Sequence, residues 1–323
     1  PEKSAFESVL KLFRDSLENS TNKFDNQYEL FNVFHENIVS SVDAFEYLVK
    51  IKHLYKKLRN WYTDNNFYNL LGFYLHSGGK LDSIINDTQS ELLKKLNKHL
   101  LNHLTYQLKK DGKWVEEDIS VLNYDNNPKN KINKILLALS IFPEGIDRGK
   151  DQSYRFDFFS YANEGWSLEH IFPQNPNSNA IDYSEDKEWF IQQCIINGKD
   201  LLAVKIENNE EVGGEELSFI YDVFPDEHIL GNMALLSSGV NSALSNGFFN
   251  IKRKILLKKI NRGSFVPKHT IDVFAKMLEA KEDENGNRID FNQNLMIWST
   301  DDAEAHVTWM KSRISQLKKE FAV

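Results

Sequence analysis

The sequence predicts a mainly α protein of the α+β class: a helical bundle, then a smaller strand-containing unit, then C-terminal helices. Three observations carry this. Apolar residues recur three and four apart through most of residues 1–143, as a helix with one buried face requires. The periodicity weakens over 151–265, where Asn, Pro and Gly rise and short β-type runs appear. It returns over 270–281 and 301–321. A length of 323 residues suits two domains, expected at 1–150 and 151–323.

Phe6, Val9, Leu10, Phe13 and Leu17 give the first helix its stripe. Phe45, Leu48, Val49, Leu54 and Leu58 give the second, and Leu92, Leu93, Leu96, Leu100, Leu101 and Leu104 a third running from Glu91 to Leu108. Lys131–Ile141 is the fourth. Polar breaks at Asn19–Asn26, Ser77–Lys80 and Asn123–Asn130 separate them. In the last helix Ala303, Val307, Met310, Ile314, Leu317 and Phe321 share a face, with Thr300 the expected N-cap.

Hydrophobic residues at 41% and charged residues at 27% describe an ordinary globular chain and exclude a disordered or collagen-like one. A single cysteine, Cys194, excludes an internal disulfide and is expected in the core. No run is long and apolar enough to span a membrane, no secretory signal is visible, and a cytoplasmic location is expected. The chain opens on Pro1 and reads as part of a longer protein.

The net charge of −8 argues against a uniformly basic nucleic-acid binder, but the charge is segregated. Eight acids and no Lys or Arg lie between Glu207 and Glu227. From His228 to Ile271 there are seven Lys or Arg and no acid. Lys252, Arg253, Lys254 and Lys258 on a helix in that stretch are the candidate phosphate contacts; a solvated face is the plainer alternative.

The chemistry concentrates in two segments. Trp166-Ser167-Leu168-Glu169-His170-Ile171-Phe172-Pro173-Gln174 reads as a strand that Pro173 ends. A carboxylate beside an imidazole offers a hard oxygen ligand and a base for activating water, provided the strand end twists enough for both to serve one site. Leu230-Gly231-Asn232-Met233-Ala234-Leu235-Leu236 then opens a second apolar strand, and Asn241 follows ahead of the basic helix.

This order of motifs resembles a His-Asn-His, or ββα-metal, nuclease with Asn in the third position. Glu-His-Ile-Phe-Pro-Gln, Leu-Gly-Asn-Met-Ala-Leu-Leu and Asn-Ser-Ala-Leu-Ser-Asn together are similar to the C-terminal nuclease domain of GmrSD-type modification-dependent restriction proteins, over roughly residues 150–265. Asp64–Phe73 resembles their middle helical region more weakly. The resemblance implies that His170 is the general base, that Glu169 and Asn241 hold one Mg²⁺ or Mn²⁺, and that Asn232 braces the loop carrying His170. It implies DNA as substrate, restriction of phage or foreign DNA as the setting, and an N-terminal sensor and nucleotide-hydrolysing domain not contained in this chain. The Cys pairs that carry structural zinc in many such nucleases are absent. The alternatives are a DNA-binding or interaction module with an inactive site, or a helical scaffold.

Other candidates fall away. Asn241 could instead be a helix N-cap, and Asn246 competes for either job. His228 follows Glu227 but leads straight into the apolar run, so it is set aside as a base. His99 and His103 share a helical face without a third ligand. Gly78-Gly79-Lys80-Leu81 and Gly149-Lys150-Asp151 lack the hydroxyl of a phosphate loop. Trp114, Trp166, Trp189, Trp298 and Trp309 are expected as packing residues.

Overall fold

The computed structural model describes residues 5–16, 29–125, 129–145, 154–174, 183–210, 212, 216, 219 and 224–322. Leu17, the whole break at 19–26 and Gly149-Lys150-Asp151 lie outside them. The fold is mainly helical with small antiparallel sheets. Among the described residues no helix is long and apolar enough to cross a membrane. Packing divides the chain into residues 1–100 with 146–155, and residues 101–145 with 156–322, rather than at a single cut near 150.

The first unit holds α1 (Ala5–Ser16), α2 (Glu29–Asn37), α3 (Ser41–Thr63), α4 (Asn65–His76) and most of α5 (Gln89–Leu104). Ser40 and Asp43 form a capping box at the start of α3. Asp64 separates α3 from α4 because its carboxylate accepts from the Asn66 and Phe67 amides. Phe45 and Leu48, expected in the core, are exposed on α3, whereas Leu54 is buried. Gly79 lies where a Cβ would meet the Tyr74 ring at 2.3 Å, so the Gly78-Gly79 pair closes the turn after α4. His99 hydrogen-bonds Ser77 Oγ at 2.7 Å and packs against the Tyr74 ring, a structural role.

The second unit opens with a hairpin that the helical reading missed, β1 (Tyr106–Lys110) and β2 (Lys113–Glu117). Asp111 and Gly112 take positive φ in its two-residue turn, the geometry that matches strand twist. Trp114 is exposed there rather than packed. α6 (Lys129–Ile141) is buried from Ile135 to Ile141 and packs on α12, β4 and α13, which makes it the central helix of this unit. After α7 (Phe158–Asn163), β3 (Trp166–His170) pairs antiparallel with β4 (Met233–Ser237), Glu169 opposite Ala234 and His170 opposite Met233. Between the two strands run α8 (Tyr183–Ile196), with Cys194 buried, and α9 (Asp200–Glu207).

Beyond β4 come α10 (Ser238–Leu244), α11 (Phe249–Asn261) and α12 (Lys268–Ala275), then β5 (Lys281–Glu282), β6 (Arg288–Ile289) and α13 (Thr300–Phe321). The α13 cap is Ser299 rather than Thr300, in a capping box with Asp302. Ala303, Met310, Ile314, Leu317 and Phe321 are buried, as their spacing requires.

Candidate functional site

The site is built on the antiparallel β3–β4 pair, and Asn232 holds it together. Residues Leu230–Asn232 form a short 3-10 turn before β4. The Asn232 side chain is fully buried. Its Oδ1 accepts from the Phe172 amide at 2.7 Å, and its Nδ2 donates to the Phe172 and Glu227 carbonyls, both at 2.9 Å. Its own carbonyl accepts from the Ile171 amide at 2.8 Å. One side chain thus satisfies the backbone that follows His170, where Pro173 prevents further pairing. This is the geometry of a brace for the His170 loop.

The 3-10 turn is itself seated on α13. A Cβ on Gly231 would lie 2.2 Å from the Ala303 carbonyl oxygen, so only glycine allows this approach. The Gly231 carbonyl accepts from His306 Nδ1 at 2.9 Å, and His306 Nε2 lies 3.0 Å from His269 Nε2. With Nδ1 donating, a neutral His306 has only a lone pair on Nε2, so His269 donates from its own Nε2. Both rings are fully buried, and burial pulls both well below the ordinary histidine range, His306 to about 4.

Glu169 and His170 hold successive positions at the end of β3. Regular pairing continues through His170, and successive strand residues face opposite ways. Glu169 is buried beside Lys252 of α11, whose ammonium lies 2.6 Å from Glu169 Oε1 and also donates to the His170 carbonyl. Burial raises the Glu169 carboxyl and lowers the Lys252 ammonium, and the pairing opposes both shifts. Lys252 is only 1% exposed, so its expected place on a DNA-facing surface is corrected: it is the counter-charge of Glu169. Asn241 lies inside α10 rather than at its N-cap. Its Nδ2 donates to Ser167 Oγ at 2.8 Å and to the Leu168 carbonyl at 3.4 Å, which ties α10 to β3.

On the other side, the His170 ring packs edge-on against Tyr124 at 4.7 Å and against His228 at 5.6 Å. His228 is brought there by a ladder outside the β3–β4 pair: Tyr124 N donates to the His228 carbonyl and Leu230 N to the Leu122 carbonyl. His228 Nε2 lies 3.1 Å from both Asp125 Oδ2 and Glu227 Oε1. Burial is the largest cause lowering the His170 pKa to about 4, with the nearby Lys252 ammonium adding to it. The imidazole is therefore neutral and able to accept a proton at neutral pH. Sequence reasoning set His228 aside because it leads straight into an apolar run. Tyr124 and Asp125 carried no motif at all.

The basic face of α11 is narrower than the sequence suggests. Lys254 and Lys258 are exposed. Arg253 is half-buried, with its Nε donating to the Phe274 carbonyl at 3.0 Å at the end of α12.

Among the described residues no three His, Cys, Asp or Glu side chains are grouped to hold a metal ion. Glu169 and Asn241 offer hard oxygens, the donor type that suits Mg²⁺ or Mn²⁺ completed by water and phosphate. Asn241 spends its amide nitrogen on β3, which leaves its oxygen available. Both residues carry oxygens of that type, and the Glu169 carboxylate is engaged by the Lys252 ammonium.

An antiparallel strand pair followed by helices, with a neutral histidine at the end of one strand and a buried asparagine bracing the loop beside it, defines a helical α+β domain with a candidate hydrolytic centre. The family model for the C-terminal domain of GmrSD restriction endonucleases matches residues 95–320, and the chain belongs to that family. No curated protein and no solved structure matches.

Proposed function

We propose that this chain is a metal-dependent DNA endonuclease of the His-Asn-His type, the C-terminal effector of a larger sensor–nuclease that restricts phage or foreign DNA in the cytoplasm. The observation that carries the reading is the double hydrogen bond between Asn232 and the Phe172 main chain, which fixes the loop beside His170. His170 accepts the proton of the attacking water, because its depressed pKa keeps the ring neutral. Glu169 and Asn241 would hold Mg²⁺ or Mn²⁺. A bound divalent ion would supply Lewis-acid stabilisation of the charge that builds on phosphate and leaving oxygen. Lys254 and Lys258 draw the DNA backbone to α11.

The test is nicking of supercoiled plasmid by the chain and by His170→Ala, with Mn²⁺, Mg²⁺ or EDTA. Loss of a general base should lower the rate by ~10²–10⁴-fold while circular dichroism and DNA affinity stay unchanged. Wild-type rates from folded His170→Ala would overturn the assignment, as would cleavage unaffected by EDTA. DNA binding without any cleavage would favour an inactive binding module.

A further inference from the structure

His228 has the chemistry of a partner for His170. Both carboxylates at its Nε2, Asp125 Oδ2 and Glu227 Oε1, are acceptors only, so the His228 proton sits on Nε2. Its Nδ1 then carries a lone pair. Among the described residues that nitrogen is buried and has no hydrogen-bond partner, and the same is true of Nε2 on His170. Buried polar atoms in folded proteins are paired, directly or through water. The two rings pack 5.6 Å apart at 75°, both against Tyr124. At this separation a small ring rotation, or one bridging water, joins an N–H on one ring to a lone pair on the other. The charged groups around the cluster are Asp125 and Glu227 at His228, Lys129 over the Tyr124 ring at 3.9 Å, and Lys252 at the His170 carbonyl.

We propose that His228 is a positioning residue for His170: Asp125 and Glu227 fix the His228 tautomer, the His228 Nδ1 accepts the Nε2–H of His170, and His170 is thereby left with its lone pair on Nδ1. The tautomer of a histidine is set by the hydrogen bond its other nitrogen makes. Asp125, His228 and His170 thus form a relay of fixed direction in which no proton need move along the chain. The residues come from three separate segments, the loop before α6, the loop before β4 and the end of β3. This inference rests on the nuclease reading for its purpose, but its geometry stands without it.

The experiment reads the tautomer directly. Long-range ¹H–¹⁵N spectra of the histidine-labelled chain at pH 7.5, assigned by the signals missing in His170→Gln, should show His170 protonated on Nε2 alone. His228→Phe keeps a ring against Tyr124 but removes the acceptor, so His170 should become a tautomer mixture and kcat for nicking should fall about tenfold with KM unchanged. His228→Gln restores an acceptor oxygen and should recover the single tautomer and most of kcat. A single Nε2–H tautomer persisting in folded His228→Phe would overturn the inference while leaving the nuclease reading intact. If His228→Phe does not fold, a tautomer mixture in wild type overturns it instead. A wild type with no nicking overturns the nuclease reading, and the spectra still decide this one.

Discussion

The two faces of the β3–β4 pair are held by opposite means. On the Glu169 face the protein completes its own electrostatics, with the carboxylate and the Lys252 ammonium buried together and Asn241 tied back to β3. On the His170 face aromatic packing does the holding, and among the described residues two buried ring nitrogens have no hydrogen-bond partner. A buried charge left alone is strongly destabilising, whereas a ring that keeps its packing tolerates loss of a nitrogen. Changes on the first face should therefore cost stability as well as chemistry, and changes on the second should cost chemistry alone.

Lys252→Met breaks the comparison most forcefully. Removing one partner of a buried ion pair typically costs about 3–5 kcal/mol, because the other charge stays buried and uncompensated. The double variant Lys252→Met with Glu169→Gln should recover most of that loss, which urea denaturation will measure. Equal stabilities of the single and double variants would show that the pair is not what holds this face.

A smaller effect separates both faces from the α13 seat beneath them. His306 is buried with its pKa near 4, below the ordinary value of about 6.5. A histidine with a depressed folded pKa gives stability that is present above about 6.5 and is lost as pH falls toward 4. The sign follows because only the unfolded chain takes up the proton in that window. Stability at pH 5 should be about 2 kcal/mol lower than at pH 7.5 from this group alone. His306→Gln should flatten the dependence, and an unflattened profile would assign the acid sensitivity elsewhere.

The mildest change sharpens the comparison without touching either face. Lys254→Gln with Lys258→Gln should leave folding intact and weaken DNA binding, reducing the slope of log affinity against log salt by roughly 0.9 for each phosphate no longer neutralised. An unchanged slope would move the DNA off α11.

Much of this was legible in the sequence. Spacing of three and four located α5, α6 and α13, because helical burial has a fixed period that one chain displays by itself. The segment Glu169-His170 and the residues Asn232 and Asn241 stood out because their motifs are contiguous. Asn232, expected as a brace, hydrogen-bonds both the amide and the carbonyl of Phe172. The hairpin β1–β2 was hidden by leucines whose spacing also suits a helix, and the Asp111-Gly112 turn was the signal that could have exposed it.

What the sequence alone determined about this protein was periodicity, charge order and motif chemistry, since these are properties of neighbours along the chain. Only the tertiary structure decided which way each side chain points and what meets it there. Lys252 and Lys254 sit two residues apart in the same basic helix, yet one is buried against Glu169 and the other faces solvent. The helical period sets them apart by roughly 200°, and the depth of the core beneath α11 decides which of them is inside. His228 joined the site by the same logic: backbone pairing between residues 122–124 and 228–230 carries its ring to His170, and long-range pairing of that kind leaves no mark on the local sequence.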